Sequence, residues 1–325
     1  MTDQIVIPDD FPTAISETPA ETKLRAVGRT RIYQDKAADA AGLIARIKDA
    51  QAVVNIRAYS HFTPEVLDAC PHLRLISIWG TGTDNVDLAY ARSLGITVTN
   101  TPGANALSVA EHTVALMLAL ARQIPVLDHG TRAGEWPRVN MMQLSGKVLG
   151  ILGTGAIGAH VARMARGLGM EVIAWTRRPS AERAESLGVR FVDQESLLQA
   201  ADVVSLHLGL NDNTRGFFKR EDFALMKPTA FFVNTARAGL IAPGALVEAL
   251  QSRQIAGAAL DAYDQEPLPA DDSLISLPNV VLTPHNAGMT PEATLSGLMM
   301  VVENVALFLD GGKVDPDRLV VEGSR

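Results

Sequence analysis

Short apolar runs alternate with helical patterns along almost the whole chain, in two successive series. In the first, residues 4–8, 31–33, 52–55, 73–79 and 97–100 read as strands, with helical patterns at 40–47, 64–70 and 86–94 between them. The second begins at Lys147. Residues 147–153, 171–176, 203–208, 230–236, 256–262 and 280–284 are strand-like there, and 156–168, 181–187, 195–200, 220–226 and 243–251 are helix-like. A strand that follows a helix and rejoins its own sheet pairs in parallel, through a right-handed crossover. The runs are apolar without alternation, as strands covered on both faces require. The expected class is therefore α/β, with two doubly wound parallel sheets, and no short fixed period points to a solenoid.

Two long apolar helices separate the series. Residues 105–122 have little polar face, with Val114 to Ala121 wholly apolar, which predicts burial between domains or subunits. Residues 291–309 open behind Thr290 as N-cap and Pro291 in the first turn. Read as crossings, these helices make the first domain discontinuous, 1–104 with 290–325, and place an inserted domain at 105–289. A length of 325 residues also exceeds what one core usually sustains.

Composition narrows the function. The net charge of −7 argues against a nucleic-acid surface, and against docking on anionic lipid. The one cysteine, Cys70, excludes an internal disulfide and a cysteine metal cage, and reads as a packed thiol in a reducing compartment. His61, His112, His129 and His160 lack metal-ligand spacing, so no metal is expected. The acidic N-terminus is unlike a secretory signal, and the 114–121 stretch is too short to cross a bilayer. A soluble, cytoplasmic protein without a membrane partner is expected.

The inserted domain carries Gly153-Thr154-Gly155-Ala156-Ile157-Gly158, a G-x-G-x-x-G hexamer after a predicted strand and before a predicted helix. In that setting Gly153 allows the tight turn, Gly155 admits a pyrophosphate, and Gly158 lets helix and strand approach. This predicts a Rossmann dinucleotide domain. The next strand ends at Trp175 and is followed by Thr176-Arg177-Arg178, where an acid bonding the ribose hydroxyls is expected. A hydroxyl and guanidinium groups accept a 2′-phosphate that an acid would repel, so NADP(H) is expected over NAD(H).

Three polar residues follow three later strands. Arg237 follows 231–236, Glu266 follows 260–265 and His285 follows 280–284. Ends of parallel strands converge at one sheet edge, where open α/β sheets bind ligands. His285 can exchange a proton with a carbonyl oxygen, Glu266 can orient the ring and favour its cation, and Arg237 can fork to a carboxylate.

With these segments, Asn234–Gly239, Asp261–Pro267, Thr283–Gly288, Gly80–Asp87 and Val109–Glu111, the chain resembles the D-isomer-specific 2-hydroxyacid dehydrogenase family over nearly its whole length. The resemblance implies a Rossmann cofactor domain inserted into a flavodoxin-like substrate domain, and a homodimer. It implies hydride transfer between a nicotinamide cofactor and a D-2-hydroxy acid/2-keto acid pair, with His285, Glu266 and Arg237 catalytic. By resemblance, Asp261 bonds the nicotinamide carboxamide, and Thr113, His207, Asn234, Thr235, Ala236 and Gly288 are further cofactor contacts. The loop of Trp79, Gly80, Thr81 and Gly82 would hold the substrate carboxylate, with Trp79 either restricting the side-chain pocket or filling core, and Arg57 is either a substrate contact or a surface charge. Gly209 stands where the family commonly has proline. Closure is expected about hinges near 101–104 and 288–291.

Two other readings share this scaffold. A D-3-phosphoglycerate dehydrogenase is disfavoured because such enzymes usually favour NAD and because the chain ends at Arg325 without room for a regulatory domain. A dinucleotide-sensing binding protein, like the related transcriptional co-repressors, would keep the same three residues. The acidic chain and the lack of recognition modules count against it.

Overall fold

Residues 4–56 and 59–324 are described by the structure, a computed structural model. The chain forms two compact units, Met1–Asn105 with Met289–Arg325, and Ala106–Gly288. Both cuts fall one residue from the expected ones.

The first unit holds a six-stranded sheet. Its strands are β1 (Gln4–Ile7), β2 (Arg29–Ile32), β3 (Ala52–Asn55), β4 (Leu75–Ile78), β5 (Thr97–Thr99) and, from the end of the chain, a last edge strand Leu319–Val321. The order is edge strand, β5, β4, β3, β1, β2. The five N-terminal strands are parallel, whereas the last pairs antiparallel with β5. The parallel sheet expected from the sequence thus gains one antiparallel strand at its edge. A three-residue segment arriving from a C-terminal helix can add at the edge without a crossover, and it was too short to show a period.

Every residue of β3 and β4 is buried, because helices cover both faces. Short polar caps start those helices, with Asp39, Thr63 and Asp87 each accepting a first-turn amide. Helix Pro291–Leu309 begins as predicted, Thr290 accepting from the Ala293 amide. By length and composition it is apolar enough to cross a bilayer, a feature the shorter 114–121 stretch did not suggest. Its Leu298, Val301, Val302 and Val305 lie in the unit's core with Ile5, Ile7, Val54 and Leu75. Helix Pro19–Val27, not anticipated, packs beside it.

The second unit holds seven parallel strands: β6 (Val148–Leu152), β7 (Glu171–Trp175), β8 (Arg190–Phe191), β9 (Val203–Leu206), β10 (Phe231–Asn234), β11 (Gly257–Leu260) and β12 (Val280–Leu282). Their order is β12-β11-β10-β9-β6-β7-β8. The winding reverses between β6 and β9, which opens a crevice at their C-terminal ends. The strands alternate between two packed faces. Leu149, Ile151, Val203, Val233 and Ala259 meet one helical layer, and Leu152, Val204, Phe232, Ala258 and Leu260 meet the other. In the second layer Phe218, Phe223 and Phe232 stack with ring centroids 4.6–5.2 Å apart.

Helix Ala106–Ala121 belongs to this unit. It packs on helix Ala156–Gly167 and strands β10 and β11 through Val109, Ala110, Thr113, Leu116, Met117 and Leu120. On its outer side Leu107 is exposed in the single chain. The chain then breaks at Gln123, whose φ is +50°, and Pro125 opens a further helix, Ile124–Arg132, absent from the sequence reading.

Candidate active site

The crevice begins at the glycine loop. Gly153 has φ +100°, and a Cβ there would lie 2.7 Å from the His207 carbonyl oxygen. A Cβ on Gly158 would strike the carbonyl oxygen of Gly153. Those two glycines therefore serve the protein's own close packing. Gly155 differs, since a Cβ there would meet nothing within 4 Å. It is the N-cap of the twelve-residue helix Ala156–Gly167, which has no side-chain cap. The first-turn amides of Ala156 and Ile157 thus face an anion's place with their donors uncommitted to a cap. The buried Thr154 hydroxyl also has no hydrogen-bond partner. An exposed cradle of amides at a helix N-terminus fits a dinucleotide pyrophosphate.

At the adjoining end of β7, Thr176 is half-buried and Arg177 and Arg178 are exposed. Arg177 donates to the Asn213 carbonyl at 3.3 Å. The sequence reading missed Arg183. Its guanidinium hydrogen-bonds the Thr154 carbonyl and so reaches the glycine loop itself. The only sequence signal was a third arginine one helical turn beyond Ser180, which caps its amide.

The other end of the crevice is built by register. Asn234 pairs with Leu260, and Leu260 with Leu282, so the residues just beyond these three strands leave the sheet side by side. Asn234 is fully buried; its side chain donates to the Arg237 carbonyl at 3.0 Å and accepts the Ala236 amide at 2.9 Å. That clasp shapes the turn carrying Arg237, which donates to the Ala236 carbonyl at 2.9 Å. His285 sits at φ +54°, a left-handed conformation unusual for a residue with a Cβ. Its Nδ1 lies 2.8 and 2.9 Å from the two Glu266 oxygens. The carboxylate can only accept, so Nδ1 carries the proton and Nε2 is the atom left to act.

Glu266 also accepts the Tyr263 amide at 3.1 Å. Burial pushes its carboxyl up, but the hydrogen bond and charge of His285, the Tyr263 amide and the charge of Arg237 outweigh this and hold it below the usual carboxylate range.

Other expected cofactor residues occupy the same edge in less direct roles. Asp261 is buried and accepts the Thr283 hydroxyl at 2.6 Å and the amides of Asn286 and Ala287 at 2.9 Å each. It ties down the strand end on both sides of His285. Thr113 is fully buried, donating to the Val109 carbonyl at 2.7 Å and lying 2.8 Å from the Thr235 hydroxyl. It supports Thr235 from below. His207 bonds the Ser205 hydroxyl at 2.8 Å, and burial pushes its imidazole down to about 4, so it is neutral near pH 7. Gly288 closes the unit just past Ala287.

The family model for "D-isomer specific 2-hydroxyacid dehydrogenase, NAD binding domain" matches residues 114–287. The chain belongs to this family. A D-3-phosphoglycerate dehydrogenase of Archaeoglobus fulgidus is 40% identical over 271 residues, covering 83% of this chain and 51% of that protein. A glyoxylate reductase of Aeropyrum pernix is 39% identical over 284 residues, covering 85% of this chain and 84% of the relative. The chain thus spans about half the length of the first relative and most of the second. An acyclic imino acid reductase, solved with NADPH and D-Arg, superposes with a TM-score of 0.86 at 27% identity, covering 98% of this chain and all of that one.

Membership assigns the second unit to nicotinamide-cofactor binding. The matched segment contains the glycine loop, Arg237, Asp261, Glu266 and His285, with Thr113 and Gly288 one residue beyond its two ends.

In this family member the first unit's loops are more self-contained than their motif suggested. Trp79 donates from Nε1 to the Thr294 carbonyl at 3.2 Å and packs against Gly297, so it fills the unit's core. The Gly80 amide is already given to the Thr101 hydroxyl at 2.7 Å. The Thr81 carbonyl accepts the Asn100 side chain at 2.9 Å. Thr81 is exposed and Gly82 half-buried. Arg57 lies outside the described residues. Cys70 is buried in the first core, and burial raises its thiol to about 11, as suits a packed side chain. Among the described residues no group of three or more histidine, cysteine or acidic side chains could hold a metal ion.

Proposed function

We propose that the protein interconverts a small 2-keto acid and its D-2-hydroxy acid, using a nicotinamide cofactor. The observation that carries this reading is the 2.8 Å His285–Glu266 pair at the same strand-end edge as Arg237. A 2-keto acid has a carboxylate beside a carbonyl. Arg237 can bind the carboxylate through its planar fork and draw charge from the adjacent carbonyl oxygen. When bound, the nicotinamide supplies or accepts a hydride at the carbon bearing that oxygen. Nε2 of His285 gives its proton to the oxygen during reduction and takes it back during oxidation. Glu266 keeps the ring in the orientation that points Nε2 outward, and its negative charge offsets the imidazolium.

The amides at Gly155–Ile157 would hold the pyrophosphate, and Asn234, Thr235 and Ala236 would line the nicotinamide end. NADP(H) is the preferred cofactor in this reading, since Thr176, Arg177 and Arg178 offer hydroxyl and cation where an acid would repel a 2′-phosphate. The relative crystallised with NADPH fits that preference. The protein works in the cytoplasm as a homodimer. Ile124, Val126, Trp136, Val139 and Met141, exposed large apolar side chains within one stretch of sequence, are the ones a second copy would cover.

D-3-phosphoglycerate is the second substrate reading, favoured by the 40% identical relative bearing that activity's name. The test is a panel of glyoxylate, hydroxypyruvate, branched 2-keto acids and 3-phosphohydroxypyruvate, followed by nicotinamide absorbance with both cofactors. Turnover at higher kcat/KM with NADPH is expected. A preference for NADH would overturn the cofactor assignment. Tight cofactor binding with no turnover of any acid would favour a dinucleotide sensor instead.

A further inference from the structure

His112 was set aside in the sequence because it has no metal-ligand spacing, yet it sits directly behind the catalytic turn. It projects from helix Ala106–Ala121, and its Nε2 lies 3.0 Å from the Thr283 hydroxyl and 3.6 Å from Asp261 Oδ1. Thr283 Oγ1 is itself only 2.6 Å from Asp261 Oδ1, against 3.3 Å from the Leu260 carbonyl. Two oxygens that close need a proton between them. The buried carboxylate can only accept, so the single Thr283 hydrogen goes to Asp261. The Thr283 oxygen is then an acceptor toward His112, and Nε2 of His112 must carry a hydrogen. The donor direction runs His112 to Thr283 to Asp261. Asp261 in turn accepts the amides of Asn286 and Ala287, the two residues after His285. From the other side the Tyr263 hydroxyl donates to the Thr283 carbonyl at 2.8 Å, and burial raises that phenol to about 12, so it stays a donor.

We propose that His112 is a positioning residue for the catalytic histidine, acting as the Nε2–H donor that orients Thr283 and Asp261 around the turn bearing His285. The need for such an anchor is local. His285 occupies φ +54°, which a residue with a Cβ keeps only when its surroundings hold it there. The Asp261 carboxylate supplies two of those restraints through backbone amides. A carboxylate whose hydroxyl partner is itself held in place keeps a single orientation. His112 contacts Thr283 and Asp261, and through them its effect reaches the turn that bears His285. The functional half of the proposal rests on the reading of His285 as the proton donor.

The experiment pairs two variants with a direct measurement on the wild-type protein. Nitrogen-15 NMR of the histidine rings at alkaline pH should show His112 as the Nε2–H tautomer; the Nδ1–H tautomer would overturn the assignment. His112→Leu removes the donor, and His112→Gln keeps an amide N–H near the position of Nε2. His112→Leu should lower kcat about 2–10-fold, the worth of one ordinary hydrogen bond, with KM for the keto acid changed less than about twofold. His112→Gln should recover most of that loss. Hydrogen exchange of the Asn286 and Ala287 amides should speed up in His112→Leu and not in His112→Gln.

Equal losses in both variants, or unchanged kcat and exchange in His112→Leu, would refute the role. If the leucine variant failed to fold, Thr283→Val against Thr283→Ser poses the same question, with the valine expected to lose activity and the serine to keep it. Absence of turnover in the wild type would count against the functional reading alone, because the tautomer and exchange measurements decide the His112 contact separately.

Discussion

The two units end their sheets in loops of similar polarity but leave those polar groups in opposite states. In the first unit a group of them is bonded to one another, although the buried Gln51 Oε1 just before β3 has no partner. Asp10 is fully buried and accepts the amides of Ala14, Ile15 and Ser16 and the Ser16 hydroxyl. Asn85 bridges Asn55 and the Ser60 carbonyl, at 3.0 and 2.7 Å, and Asp9 takes the Ser60 hydroxyl. In the second unit several groups keep bonding capacity: the Gly155–Ile157 amides, the buried Thr154 hydroxyl and Nε2 of His285. A satisfied polar loop is a frame, whereas a loop with open donors at a helix N-terminus or strand end is prepared for a ligand. The contrast explains why motif residues of the first unit, Trp79 and Gly80, turned out to be engaged in its own packing.

Four predictions press on that contrast, in descending size. Replacing His285 with Ala removes the one proton donor in the proposal and should lower kcat about 10²–10⁴-fold while cofactor binding by fluorescence stays within about threefold. An intact kcat would end the proton-transfer role. Among the glycines, Gly158→Ala drives a Cβ into the Gly153 carbonyl and should cost about 1–3 kcal/mol in denaturant melts. Gly155→Ala meets no protein atom, so it should melt like the wild type and bind dinucleotide more weakly. If the two variants behaved alike, the division between packing glycine and ligand glycine would fail.

In the first unit, Asp10→Ala strands three buried or half-buried amides and should destabilise by about 1–3 kcal/mol, leaving kcat of the folded fraction unchanged. A large kcat loss at full stability would show that the frame takes part in the chemistry.

The last prediction is a pH slope. His207 titrates near 4 when folded and at its ordinary 6.5 when unfolded, so between those values the unfolded chain binds more protons. Stability should therefore fall as pH drops from 6.5 toward 4, and His207→Gln should flatten that part of the Tm curve. Glu266 acts lower. Its folded carboxyl is held below 4.5, so its contribution is present above 4.5 and disappears as pH falls through the lowered value. Glu266→Gln should leave the part of the curve above about pH 5 in place.

Much of this was legible in the sequence because it is periodic or local. The apolar runs of β3, β4 and β9 marked strands buried on both faces, and Thr290-Pro291 marked the helix start to the residue. The glycine hexamer was legible because its spacing has one backbone meaning between a strand and a helix. What escaped had no such signature. β8 and the antiparallel edge strand are two and three residues long, too short for a period, and pairing alone makes them strands. Helix Ile124–Arg132 was hidden by its neighbour, since the break at Gln123 lies in a backbone angle and not in a residue type.

The sequence by itself determined the class of fold and the family, and it supplied the residues proposed to carry the chemistry, since those depend on which side chains follow which strands. Tertiary structure decided how each residue is used. Asp261 and Thr113 became supports for the turn of His285 and for Thr235, Trp79 became core, Arg183 reached the glycine loop, and His112 came to lie behind Thr283. The reason is that a residue's chemistry is carried by its own atoms, but whether its hydrogen bonds are open or already taken depends on neighbours that register and packing bring from 22 to 215 positions away.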